Sequence, residues 1–378
     1  MNIAILTQSL NDNYGCILQN YALQKVLKDA GHNVVTIRRE NKVPFSLAFR
    51  NFIAIVIRVL HVKATCTYSY SEIRQIRIKF LYFIKKYIKE SPKKIYSSDG
   101  LYCDFLKEKY DAYIVGSDQV WRLGCSPCID DYFLSFLPQR SKVKRLAYAA
   151  SFGTDNWEFN DTITNLAKEF IQIFDLVTVR EKSAVNLCSK YLNYNNAHFV
   201  LDPTMLLDKS DYEHLIENEK EDPSEGNLFC YILDMNIVKK ETISEIEKQT
   251  AKKSFSVCPN HTIEERQKGF NLDDYVLPSI TKWLRAFVDS DYVVTDSFHG
   301  TVFSIIFNIP FVVFGNEHRG NARFESLLEL FQLSDRLTTS KEDALKIIQQ
   351  PIDWNKVNTI REEMRTQSIS LLLNALKR

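Results

Sequence analysis

Residues 291–314, DYVVTDSFHGTVFSIIFNIPFVVF, put a histidine where proton chemistry beside an anion is possible. Tyr292–Val294 reads as a buried strand, Thr295-Asp296-Ser297 as a polar turn or cap. Phe298-His299-Gly300-Thr301 then opens an apolar helix that Pro310 closes before a second strand, Phe311–Phe314. In open α/β sheets, ligands bind at the carboxyl ends of strands, where helix N-termini offer N–H groups and a positive dipole. Ser297, Gly300 and Thr301 are therefore expected around an anion, with His299 able to hand over a proton there.

Other strand ends carry complementary groups. Asn11-Asp-Asn-Tyr-Gly15 leads from the first strand into the helix Cys16–Ala30, so Asn13, Gly15 and Gln19 are placed to meet an anionic or sugar ligand. The loop lacks GxGxxG, and no dinucleotide is indicated. Asp111–Trp121, DAYIVGSDQVW, ends a buried strand in Gly-Ser-Asp. Gly116 lets the backbone approach a ligand, Ser117 offers a hydrogen bond, Asp118 can take a proton from a sugar hydroxyl, and Trp121 can stack on a sugar face. Arg180 ends another strand, LVTVRE, and suits capture of a carboxylate or phosphate; Arg319 and Arg323 follow the strand Phe311–Phe314 and could complete that site. Each has a structural alternative: a capped turn at Asn13, an Asp cap and core Trp at 118–121, a surface pair Arg180–Glu181, solvated arginines at 319 and 323. Asp202-Pro203 reads as a structural turn.

Positioning these strand ends requires alternating strands and helices. A βαβ unit is expected over Asn2–Leu6, Cys16–Ala30 and Asn33–Ile37, followed by short strands at Ala112–Val115, Leu146–Ala149, Leu176–Val179 and His198–Leu201. A second alternation runs from Leu228 through Ser254–Cys258, Tyr292–Val294 and Phe311–Phe314. The fold class is α/β, two Rossmann-like domains facing a cleft: residues 1–207 with a helical insertion at about 43–110, an exposed helix and linker at 208–226, a second domain at 227–355, and a helix at 356–378 returning to the first.

The 378 residues are 45% hydrophobic with a formal charge of +1, which excludes the basic footprint of a nucleic-acid binder. Eight scattered cysteines and a chain that enters a strand at once suggest a cytoplasmic setting with free thiols. Cys125-Ser-Pro-Cys128 lacks a second ligand pair, so no metal is expected. Pro44–Val62 is apolar but interrupted by Arg50 and Arg58; it is either a helix between domains or a peripheral contact with anionic lipid.

Seven segments, in order, resemble the polysaccharide pyruvyl transferase family: NYGCILQNYAL (13–23), DAYIVGSDQVW (111–121), YAASFG (148–153), VREKSA (179–184), VLDPTML (200–206), TDSFHGTVFSIIFNIPF (295–311) and NARFESLLELFQL (321–333). Residues 43–110 carry no such block. The resemblance implies a glycosyltransferase-B-like fold and transfer of the enolpyruvyl unit of phosphoenolpyruvate to two hydroxyls of a capsular, cell-wall or exopolysaccharide sugar, giving a cyclic ketal. It assigns donor binding to Arg180 and the His299 block, places the acceptor on the N-terminal side, and calls for no cofactor beyond phosphoenolpyruvate as co-substrate. Arg323 would help balance the trianion, His299 would protonate the enol carbon, and Asp118 or Asp296 would take the hydroxyl proton. A lipid-linked oligosaccharide is one possible acceptor. The competing readings are a nucleotide-sugar glycosyltransferase in the same cleft and a non-catalytic glycan-binding protein.

Overall fold

The computed structural model describes residues 1–41, 70–259, 271–315 and 320–377. Two wholly parallel sheets organise it. The first has seven strands in the order β3-β2-β1-β4-β5-β6-β7: β1 Asn2–Leu6, β2 Asn33–Arg39, β3 Glu90–Ile95, β4 Ala112–Val115, β5 Lys144–Ala150, β6 Leu176–Val179 and β7 Ala197–Phe199. The second has five, ordered β12-β11-β10-β8-β9: β8 Leu228–Tyr231, β9 Ser254–Phe255, β10 Tyr292–Thr295, β11 Phe311–Phe314 and β12 Leu337–Thr338. Strands without charges on either face, such as AYIV and FVVF, are buried throughout because helices cover both sides.

Chain order reverses between β1 and β4 in the first sheet and between β8 and β10 in the second. Such switch points open crevices at the carboxyl ends of strands. Helix α1, Tyr14–Asp29, starts beside the first, and its Asn13 cap accepts the N–H of Cys16 at 3.0 Å. The His299 helix, Phe298–Phe307, starts beside the second. One apolar cluster includes Ile3 and Ile17 from the first half and Trp283, Val302 and Phe303 from the second. At its centre the Tyr14 ring stacks on Trp283 with centroids 5.2 Å apart, and the Tyr14 hydroxyl donates to Pro278 O at 3.1 Å.

The insertion expected to be helical departs from expectation in its second half. Helices Tyr70–Ile76 and Ile78–Tyr87 are followed by strand β3, which pairs with β2 at the sheet edge, and by the helix Ser98–Glu108. Its sequence, ESPKKI, has no apolar run, and Pro92 is tolerated because an edge strand leaves one row of N–H groups unpaired. Part of the 208–226 segment is also better packed than an exposed helix. Lys209–Glu219 buries Tyr212, Leu215 and Ile216, and Tyr212 meets Phe303 edge-on at 5.0 Å. The final helix, Trp354–Lys377, touches the first half: Arg361 and Arg365 donate to Leu207 O and Leu206 O, and Ser368 Oγ accepts the N–H of Leu201 at 3.2 Å. Pro44–Val62, expected to form a domain-packing or lipid-contacting helix, and Arg319 lie outside the described residues.

Candidate functional site

The carboxyl ends of β4, β5, β6 and β7 meet the N-terminus of the Phe298–Phe307 helix, and a buried charge network fills the junction. Arg180, just beyond β6, donates from Nη1 to Asp202 and from Nη2 to Asp118, each at 2.8 Å. Ser117 Oγ donates to the same Asp202 oxygen at 3.0 Å, and Thr204 supplies its N–H and hydroxyl to the other. The Arg180 guanidinium lies 4.7 Å from the centre of the Phe298 ring and that of Arg323 5.7 Å. His299 completes the cluster with Nε2 3.8 Å from Asp202, beyond hydrogen-bond length in this conformation.

Gly15 is what lets His299 sit there. A β-carbon at residue 15 would stand 1.9 Å from His299 Nδ1, so any side chain would occupy the ring's space. Gly300 serves similarly, since a β-carbon there would fall 2.2 Å from Thr295 Oγ1. Asp118 adopts φ 75°, a left-handed conformation that its short polar side chain tolerates at some cost. Its carboxylate accepts from Gln119 N as well as from Arg180.

Burial alone would raise the carboxyl pKa values of Asp118 and Asp202. At Asp118 the charges of Arg180, His299 and Arg323 outweigh burial and hold it below its usual value. At Asp202, His299 and Arg180 outweigh it further, leaving the group ionised well below the usual carboxylate range. Arg323 is pushed down to about 10 by burial and by the like charge of Arg180. Burial raises Glu181, whose Oε1 accepts the N–H groups of Phe152 and Gly153. The junction is thus rich in fixed charge and poor in solvent, the setting in which an anion gains most from cations and N–H dipoles.

Several sequence-based assignments change here. Trp121 is fully buried, stacked on Phe133 with centroids 5.1 Å apart and donating Nε1–H to Tyr132 O at 2.9 Å, so it has no face for a sugar. Gln19 is also fully buried and donates to Thr7 Oγ1 and Cys16 O. Arg180 has no exposed side-chain surface and both Nη groups engage carboxylates, so in this conformation it braces the site rather than facing a ligand. Asp118, held ionised, suits that brace better than the work of a base. Asp296 accepts from Leu233 N, Asp234 N and Lys239 Nζ and is likewise structural. The N–H groups of Gly300 and Thr301 turn back to Ser297, to its Oγ at 3.5 Å and its carbonyl at 3.0 Å. An anion would instead meet the first N–H groups of the helix, at Phe298 and His299.

Ser117, Asp118, Arg180, His299 and Arg323 converge with Gly15, while Ser297 caps the His299 helix and Asn13 caps α1 on the outer side. Asp202 and Glu181 join them, although Asp202 reads from sequence as a turn and Glu181 as half of a surface pair. The VREKSA and VLDPTML blocks, both led by residues at strand ends, were the available signal.

Two parallel Rossmann-like sheets with crevices at facing switch points define a GT-B-like fold, and solved structures agree. The chain superposes on UDP-GlcNAc 2-epimerase from Methanocaldococcus jannaschii with a TM-score of 0.51 at 14% identity, covering 97% of this chain and 99% of that one. It superposes on Arabidopsis thaliana UGT89C1 complexed with UDP-L-rhamnose at 0.52 and 10% identity, covering 98% of each. A ugt transferase from Siraitia grosvenorii in complex with UDP gives 0.50 at 9% identity over 100% of both. No curated protein matches the sequence. The model of the polysaccharide pyruvyl transferase family matches residues 13–318, and the chain belongs to that family.

Proposed function

We propose that the protein transfers the enolpyruvyl group of phosphoenolpyruvate to two hydroxyls of a glycan sugar, closing a cyclic pyruvate ketal and releasing phosphate, in the synthesis of a surface or capsular polysaccharide. Family membership supports the reaction class. The observation that carries the site is His299, held at a helix N-terminus against Gly15 and facing the ionised Asp202.

On this reading the phosphate and carboxylate of the donor lie against Arg323, the Ser297 hydroxyl and the first N–H groups of the His299 helix. His299, beside Asp202, gives a proton to the CH2 carbon of the enol, which becomes a methyl group. The neighbouring carbon, now electron-poor, accepts the oxygen of one sugar hydroxyl, whose proton passes to the imidazole nitrogen just vacated on His299. The bond from that carbon to the phosphate oxygen then breaks, phosphate departs with the electron pair, and the second hydroxyl adds to close the ring, its proton leaving with the phosphate. Arg180, Asp118 and Ser117 hold Asp202 in place and act through it. No metal or other cofactor is invoked.

Supplying phosphoenolpyruvate or UDP-sugars with a panel of glycans, and measuring phosphate against UDP release, tests the reading. Acceptor-dependent phosphate release is expected. Release of UDP alone would replace it with a nucleotide-sugar transferase, and glycan binding without either product with a non-catalytic role.

A further inference from the structure

A second cavity, of about 710 Å3, opens at the carboxyl ends of β1 and β2, away from the charge network. Among the described residues, Arg38, Arg39, Arg74, Arg77, Lys85 and Lys94 line it, against Glu40 and Glu90. Some of this charge is already engaged. Arg39 bonds the buried Asp131 at 2.7 Å, Arg77 reaches Asp12 at 2.7 Å, Lys94 meets Glu40 at 2.8 Å, and Arg38 lies 3.8 Å from Glu90. Among the described residues, Arg74 and Lys85 form no ion pair with a carboxylate. Both are exposed and project from consecutive helices, Tyr70–Ile76 and Ile78–Tyr87. Leu10 and Leu81 add apolar surface.

The wall of this cavity continues to the His299 crevice. Residues Gln8–Asn11 line it, Arg77 ties down Asn11 and Asp12, and the same loop runs on through the Asn13 cap to Gly15, which packs on the His299 ring. Carboxylates and phosphates gain most from Arg and Lys grouped in a concave, partly apolar space.

We propose that this cavity binds an anionic segment of the acceptor, a carboxylate or phosphate group beside the sugar to be modified. The inference rests on reading the protein as acting on a glycan, and it adds that the glycan is acidic or phosphate-bearing. Arg74 and Lys85 attract the anion, Arg38 and Arg77 narrow its position, and the reacting hydroxyls extend along the Gln8–Gly15 loop toward His299.

Direct binding to the full chain separates this idea from the catalytic reading, because it needs no turnover. The probes are a glucuronate-containing oligosaccharide, a neutral oligosaccharide carrying a diphosphate, and an uncharged oligosaccharide of equal length. At low salt the first, the second or both should bind at least about tenfold more tightly than the third, without displacement by phosphoenolpyruvate, and the preference should shrink as salt rises. Preference for glucuronate or for diphosphate identifies the source of the charge. The exposed-site variant Arg74→Glu/Lys85→Glu should abolish the preference while phosphoenolpyruvate saturation stays unchanged. Equal binding of charged and uncharged probes, or a variant that keeps the preference, would overturn the proposal. Anion binding in a protein that makes no ketal would leave this site standing and remove only the proposed reaction.

Discussion

Replacing Gly15 with alanine adds one methyl group to the chain and tests the seat of His299. The new β-carbon would stand 1.9 Å from Nδ1, 2.2 Å from Cγ and 2.5 Å from Cε1 of the ring. Ordinary contact needs about 3.5 Å, so ring or helix must retreat by roughly 1.6 Å. Position 15 lies within the first turn of α1, where alanine is a better helix former than glycine by about 0.5–1 kcal/mol, so the backbone itself gains. The damage should therefore fall on the histidine. Displacing a reacting group by about 1 Å costs on the order of a hundredfold in rate, about 2.7 kcal/mol of barrier. Phosphate release with saturating acceptor should fall at least that far, while the thermal midpoint moves by no more than overpacking of about 1–3 kcal/mol allows. The double variant Gly15→Ala/His299→Gly supplies the control. With the ring gone the methyl group has room, so the double variant should be no slower than His299→Gly alone. Full activity in Gly15→Ala, or a further hundredfold loss in the double variant, would refute the placement of His299 as the reacting group.

Four further outcomes follow from the network and its surroundings. Asp202→Asn leaves Arg180 with one carboxylate and should destabilise the fold by about 3–5 kcal/mol in chemical denaturation; a loss under about 1 kcal/mol would mean the pair is not enclosed. Because the folded-state pKa values of Asp118 and Asp202 lie below their unfolded ones, their stabilisation is complete above about pH 4 and drains away as pH falls below it, so acid unfolding of Asp202→Asn should be shallower than that of the parent. Glu181 behaves oppositely: its raised value favours the native state at low pH and loses that benefit as pH rises, so Glu181→Gln should gain on the parent as pH rises above the usual carboxylate range, and parallel stability curves would contradict its burial as an acid. Trp121→Ala should cost about 3–5 kcal/mol of stability, and Trp121→Phe should leave the acceptor KM unchanged; a raised KM would restore the sugar-stacking role.

Much of the fold was legible because buried parallel strands are short apolar runs flanked by turn residues, as at Ala112–Val115 and Phe311–Phe314. Strand β3 escaped because an edge strand need not be apolar on both faces. In the site, His299 stood out by its position at a strand–helix junction. The roles of its neighbours did not, since they depend on contacts between distant residues: Asp202 gains its meaning from Ser117, Arg180 and His299, which come from three other parts of the chain. Trp121 looked like a ligand platform because a sequence shows an aromatic ring after a polar loop but not Phe133 packed across it. Likewise Arg180 read as an open anion site because nothing local reveals two carboxylates closing on it.

The central claim, that His299 delivers the proton that turns the enolpyruvyl CH2 into the methyl group of a ketal, is tested most directly in heavy water. The protein is incubated with phosphoenolpyruvate and an acceptor glycan, and the product is analysed by mass spectrometry and NMR. The account predicts a glycan heavier by one pyruvate less one water, with a single deuterium in its methyl group, and with formation at least about a hundredfold slower for His299→Gln. Ketal formation by His299→Gln at the parent rate would contradict it.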